Sequence, residues 1–133
     1  LTTLIDTSVL LDIVAPSAWR EWSEQHLIEA SERGPLAINQ IVSAELAAGF
    51  ESRERFERTL QGVGLVRLNL PWAATWRASR AFLAYRRAGG ARTAPLPDFF
   101  IGAHAEAANL ALLTRDPTRI RAYFPAVDVI APS

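Results

Sequence analysis

Residues 2–11 read TTLIDTSVLL. A short apolar run, Leu4–Ile5, heads for a core and stops at a carboxylate, Asp6. Two hydroxyl residues follow, and a second apolar run begins at Val9. The pattern predicts a buried strand over Thr2–Ile5, then a helix over Val9–Val14 with Thr7 or Ser8 as its cap. A strand that ends on a charged acid delivers that acid to the edge of a sheet. The remainder of the chain is read for what joins it there.

The same alternation recurs to the end of the chain. Pro16 and Ser17 restart it into a helix over about 18–32, which Gly34–Pro35 ends. Leu36–Ile38 is a second strand, and Asn39 caps a helix through Ala48, closed by Gly49. Residues 52–61 form a helix laced with Arg and Glu, stopped by Gly62 and Gly64, before a third strand at Leu65–Leu68. Pro71 opens a long helix to about Ala88, ended by Gly89–Gly90, and 91–96 is a loop. Pro97 suits the first position of a helix to about Ala108, and Asn109 is a left-handed stop. Leu110–Leu113, a helical turn at 117–123 and Val127–Ile130 complete the series. Strands alternating with helices predict an α/β fold with a parallel sheet covered on both faces. No repeat or linker divides it, so 1–133 reads as a single domain.

Composition narrows the function classes. Half of the 133 residues are apolar, which predicts a packed core and excludes a disordered tail. There is no Cys, so disulfides, thiolate metal sites and cysteine nucleophiles are excluded, and a reducing, cytoplasmic setting is expected. No apolar run has the length of a membrane span, and no charged-then-apolar leader is visible, so no membrane partner is expected. The net charge of zero hides a pattern. Residues 1–57 carry ten acids and four arginines, whereas 58–97 carry seven arginines and no acid. The central segment is suited to a polyanion. Every basic side chain is Arg, for the chain has no Lys.

In a parallel sheet, ligands bind beyond the carboxyl ends of the strands. Asp6 follows strand one, and Thr114-Arg115-Asp116 follows strand four. Asp98 lies in the first turn behind Pro97. Glu45 lies in the helix after strand two, on a stripe with Ile41, Ala44 and Ala48 that is expected to face the sheet. If strands one and four are neighbours, Asp6, Asp98 and Asp116 meet at one rim and Glu45 reaches it. Taken singly, Asp98 reads as a helix-start residue and Asp116 as a turn residue. Taken together, the acids repel: two like charges at 4 Å cost roughly 4 kcal/mol at an effective dielectric of about 20. Raised pKa values, nearby arginines or a divalent cation must compensate. An all-oxygen set without His or Cys points to a hard ion, Mg²⁺ or Mn²⁺.

The segments IDTSVLL (5–11), SAELAAG (43–49) and LPDFFIGAHAEAANLALLTRD (96–116), with the F-x-A-V-D-V ending at 124–129, resemble the PIN domains of VapC-type ribonuclease toxins. The resemblance implies a three-layer sandwich around a five-stranded parallel sheet of order 3-2-1-4-5, with strand one central. It places the family's acidic quartet on Asp6, Glu45, Asp98 and Asp116, and its hydroxyl helpers on Ser8 (or Thr7) and Thr114. It implies an Mg²⁺-dependent endoribonuclease, with Mn²⁺ as a substitute. Asp6, Asp98 and Asp116 would be its metal ligands, with Glu45 and Asp116 acting directly or through water. It also implies a homodimer and a hetero-oligomer with a cognate antitoxin, whose peptide would lie in an apolar groove offered by residues 17–61. The Phe99-Phe100 pair is bulkier than the family pattern and is expected to alter the pocket wall.

An acidic pocket needs positive charge at its rim to hold RNA. Arg86, Arg87 and Arg92, around Gly89–Gly90, lead towards Asp98 and supply it. Arg115 is a fourth candidate, and reads equally as a structural partner of the acids. Other features read as structural: His104 as core or interface, Asp12 as solvated, and the pairs Trp19/Trp22 and Trp72/Trp76 as core. Aspartate-phosphorylating α/β domains also end strand one on Asp, but they need a Lys, which is absent. The alternative from another class is a non-catalytic RNA- or protein-binding module on the same fold.

Overall fold

The three central strand sequences, TLI, LAI and ALL, are buried at every position, as a sheet covered on both faces requires. A computed structural model of the chain describes residues 1–93 and 96–133. The strands are β1 (Thr3–Ile5), β2 (Leu36–Ile38), β3 (Leu65–Arg67), β4 (Ala111–Leu113) and β5 (Asp128–Ile130). They form one five-stranded sheet of order β3-β2-β1-β4-β5, with every pairing parallel. The edge strands, LVR and DVI, carry Arg67 and Asp128, which blunt the sheet edges against further pairing.

Helices α1 (Thr7–Val14), α2 (Arg20–Arg33), α3 (Gln40–Ala47), α4 (Arg53–Val63), α5 (Trp72–Arg87), α6 (Pro97–Ala107) and α7 (Thr118–Tyr123) flank the sheet. Their ends follow local chemistry. Asn39 accepts from the Val42 amide at 3.0 Å and Ser52 from the Arg55 amide at 3.2 Å, so both are N-caps. Asn109 has φ 54°, the expected left-handed stop. α4 does not stop at Gly62. It runs on to Val63 and ends at Gly64, whose φ of 80° suits only that second glycine. In the expected 91–96 loop, residues 94 and 95 lie outside the described residues. No described helix is long and apolar enough to cross a membrane.

The tryptophans correct the expected core. Trp72 is 89% exposed and Trp76 65%, and Trp19 is also exposed. α5 packs through Ala74, Ala78 and Ala81 instead. Spacing of i and i+4 puts two indoles on one face without saying which face. The stripe of small residues decides it, because it admits the close approach of α6. Trp22 is half-buried, stacked on His26 with ring centroids 4.0 Å apart.

Phe99 is fully buried, edge-on to Phe82 and Tyr85. It therefore belongs to the core, and not to a pocket wall as its bulk suggested. Gly102 lets α6 and α7 approach: a Cβ there would stand 2.4 Å from the buried Phe124 ring and 3.0 Å from Ile120. His104 is buried, as expected, with Nδ1 3.1 Å from the Asn39 amide nitrogen. Asn39 Oδ1 is taken by the Val42 amide, so the Asn39 NH₂ donates and His104 Nδ1 accepts. Burial lowers the His104 pKa and keeps the imidazole neutral. Gly102→Ala is expected to overpack this seam and to destabilise the fold by about 1–3 kcal/mol, read as a lower urea midpoint with an unchanged slope.

Candidate active site

The register of β1 against β4 builds the centre of the site. Ile5 pairs with Leu113, so the next residues, Asp6 and Thr114, emerge side by side beyond the carboxyl edge of the sheet. The Asp6 amide still donates to the Leu113 carbonyl at 2.9 Å. Asp6, not Thr7 or Ser8, occupies the N-cap position of α1, yet its side chain makes no capping bond. Its Oδ2 accepts two hydrogen bonds instead, from Ser8 Oγ and Thr114 Oγ1, both at 2.7 Å. The two hydroxyls are themselves oriented. Ser8 Oγ accepts from the Arg115 amide at 3.1 Å, and Thr114 Oγ1 from the Asp116 amide at 3.0 Å. One carboxylate oxygen is thus clamped, and Oδ1 makes no hydrogen bond among the described residues.

Asp98 opens α6 after Pro97, and its Oδ2 accepts from Arg119 Nη1 of α7 at 3.2 Å. Its pKa is raised, first by burial and then by the negative charge of Asp6, with Asp116 adding to the effect. The hydrogen bond and charge of Arg119 oppose these without cancelling them. Asp98 therefore lies within the electrostatic reach of both Asp6 and Asp116. Asp116 stands exposed in the loop after β4.

Glu45 reaches the group differently from expectation. The buried face of α3 is Val42 and Leu46, whereas Ala44, Glu45 and Ala48 are exposed and Ile41 is half-buried. Glu45 therefore does not interrupt the sheet-facing stripe. Its Oε1 accepts from Thr7 Oγ1 at 2.8 Å, which ties it beside Asp6. Thr7 serves Glu45, and Ser8 serves Asp6.

Comparison with known proteins decides the family. The PIN domain model matches residues 3–125. The chain belongs to the PIN-domain family. Solved structures share its fold over almost the whole length. A chain of VapBC2 from Rickettsia felis, bound to a promoter DNA fragment, superposes with a TM-score of 0.76 at 18% identity, covering 98% of each chain. VapBC-1 from nontypeable Haemophilus influenzae gives 0.75 at 15% identity, again covering 98% of each. A toxin–antitoxin complex from Klebsiella pneumoniae gives 0.70 at 26% identity with the same coverage. No curated protein sequence matches the chain. By fold it is a VapC-like PIN domain.

The donor chemistry of this PIN domain suits a hard divalent cation. Asp6 Oδ1, Asp98 and Asp116 offer only oxygen, with Glu45 at the side. Among the described residues, no group of three or more His, Cys, Asp or Glu side chains is placed to hold a metal ion. Mg²⁺ is commonly held by one or two carboxylates together with waters and substrate phosphate, so a ready three-acid site is not required for it.

Two charged contacts were not legible in the sequence. Asp12, expected to be solvated, is 2% exposed and accepts from Ser17 Oγ at 2.7 Å and Ser23 Oγ at 2.6 Å. Arg115 Nε lies 2.6 Å from Asp12 Oδ2, close but not aligned as a hydrogen bond. Burial pushes the Asp12 carboxyl up, but Ser23, Ser17 and Arg115 together hold it below its ordinary value. The Arg115 guanidinium also lies 5.6 Å above the Trp19 ring. Its charge is committed inward, which is the structural role weighed for it. The other missed residue is Arg119, whose only sequence signal is its place three residues after Asp116.

Arg86, Arg87 and Arg92 are exposed. Arg86 folds back to donate to the Arg92 carbonyl, and neither Arg87 nor Arg92 has an acidic partner among the described residues. An open hollow of about 990 Å³ bordered by α1, α3 and α4 overlaps the expected groove region in part: Leu46, Phe50, Arg55 and Arg58 lie within 17–61, whereas Leu11, Ile13 and Val14 precede it.

A raised carboxyl pKa has a defined sign. The folded state holds the Asp98 proton more tightly than the unfolded chain does, so stability falls as pH rises from the ordinary value of 3.8 through the folded pKa. Above that window Asp98→Asn removes the cost. In metal-free buffer the variant is expected to melt a few degrees above wild type at pH 7 and to lose that advantage near pH 3. Scanning calorimetry at both pH values checks it.

Proposed function

We propose that this PIN domain is an endoribonuclease that depends on a divalent cation, Mg²⁺ or Mn²⁺, and the toxin of a toxin–antitoxin pair. The observation that carries the reading is Thr114, whose hydroxyl joins the Asp6 carboxylate to the Asp116 amide, with Asp98 within electrostatic reach of both acids. A fold gains nothing from placing Asp98 in the repulsive field of Asp6 and Asp116, so their grouping points to a cationic ligand. A divalent cation there activates water at neutral pH and offsets charge at the phosphorus.

The residues divide the work. Ser8 and Thr114 fix Asp6 through Oδ2 and leave Oδ1, which would hold the cation, without a hydrogen bond among the described residues. Asp98 is the second ligand. Asp116, exposed and tethered through its amide, serves the ion or takes the proton of the attacking water. Glu45, oriented by Thr7, acts in the same role through water. Arg87 and Arg92 hold phosphates at the rim, which gives affinity and register without sequence choice.

The toxin role draws on the likeness to chains of toxin–antitoxin complexes, one at 26% identity. An antitoxin segment would lie in the hollow between α1, α3 and α4, where apolar side chains such as Leu11 and Phe50 alternate with Glu51, Arg55 and Arg58. A homodimer that joins antitoxin in a larger assembly belongs to the same reading. A non-catalytic binding module has no use for the repelling acids.

The test is incubation of purified protein with total RNA in Mg²⁺, with and without EDTA. Cleavage is expected only without the chelator, and Asp6→Asn is expected to lower the rate at least about 100-fold while the circular dichroism spectrum is kept. Chelator-resistant cleavage, or full activity of Asp6→Asn, would exclude the mechanism.

A further inference from the structure

We infer that Arg119 is the resting counter-ion of Asp98 and that, when a divalent cation takes that carboxylate, Arg119 turns to grip the RNA phosphate beside it. The inference rests on the nuclease reading above and adds a substrate-binding residue to it.

Four observations point this way. Arg119 lies on α7, immediately beyond the rim loop that carries Asp116. It touches Asp98 through one nitrogen only, Nη1 to Oδ2 at 3.2 Å. Charge-assisted bonds held for structure run nearer 2.7–2.9 Å, and Arg commonly uses two nitrogens. The side chain is 43% exposed and that of Asp98 34%, so the pair faces solvent where RNA would arrive. The guanidinium also lies 5.9 Å over the Tyr85 ring, which packs edge-on to Phe99 and Tyr123. That rigid aromatic wall limits where the cation can swing, and keeps it at the pocket after Asp98 lets go.

Arg115 shows by contrast what a structural arginine looks like here. It is 25% exposed, lies 2.6 Å from an acid that is 2% exposed, and caps an indole. Arg119 also lies over a ring, but it and its acid are far more exposed, at 43% and 34%. An incoming divalent cation competes for its carboxylate and repels it. The freed guanidinium presents a planar fork of donors whose geometry matches a phosphate.

This produces a signature with opposite signs. Removing Arg119 removes a competitor for the ion and a holder of the RNA. Isothermal titration of Mn²⁺ without RNA is compared with cleavage of total RNA at saturating Mn²⁺, for wild type, Arg119→Gln, Arg119→Lys and the exposed neighbour Arg121→Gln. Arg119→Gln is expected to bind Mn²⁺ roughly two- to fivefold more tightly, the range of an exposed ion pair. It is expected to cleave at least about tenfold more slowly, the loss of one charged hydrogen bond. Arg119→Lys recovers part of both, and Arg121→Gln changes neither. The inference is overturned if Arg119→Gln binds Mn²⁺ no more tightly than wild type, cleaves at the wild-type rate, or melts far below it in metal-free buffer, which marks a structural arginine. Failure of wild type itself to cleave RNA in Mn²⁺ overturns the nuclease reading, and the phosphate grip with it. An active wild type with an unaltered Arg119→Gln sinks only the role of Arg119.

Discussion

The pairing of Ile5 with Leu113 is the constraint on which the site depends. It sets Asp6 and Thr114 side by side and lets one hydroxyl bridge an acid from β1 and an amide from the loop after β4. A slip of one residue would part them and turn each strand's side chains to the opposite face. Leu4, Ile5, Leu112 and Leu113 are fully buried, so such a slip is resisted by the whole core. The apolar sheet thereby holds together acids that would separate if left to themselves. Hydrophobic burial is the force that concentrates the charge.

Two acid–arginine contacts, made by arginines four residues apart in the chain, differ in kind. Asp12 and Arg115 are enclosed and assisted by two serine hydroxyls. Breaking one partner of such a pair strands a buried charge, so the pair is a fixed part of the fold. Asp98 and Arg119 are open to solvent and joined by a single long contact. Exposed pairs of this kind contribute little to stability. They are free to exchange partners, which is what a site for an ion and a polyanion requires.

The acidic group also orders its surroundings by short local links. Thr7 and Ser8, adjacent in sequence at the start of α1, take different acids. Ser8 and Thr114 both converge on Oδ2 of Asp6 and leave the other oxygen open. A carboxylate with one oxygen fixed keeps its orientation while retaining a ligand position, so little ordering is needed when a cation arrives.

Local chemistry alone made most of the fold legible. Gly34, Gly64, Pro97, Asn39 and Asn109 punctuate the chain through their own backbone preferences, and the elements they bound were readable within a residue or two. Asp6 at a strand end and Asp98 behind Pro97 were readable for the same reason, since a strand has a direction and a helix has a start. The sheet order came from family resemblance, because short apolar strands of similar composition carry no label for their neighbours. What lay beyond the sequence were choices made between elements. Helical spacing groups Trp72 with Trp76, and Glu45 with Ala44 and Ala48, but does not say which side packs. The alanines of α5 and the Val42–Leu46 stripe of α3 settled that. The partners of Asp12 and Asp98 lie 103 and 21 residues away. Only folding brings such charges within reach, so only the tertiary structure could assign one arginine to the core and the other to the rim.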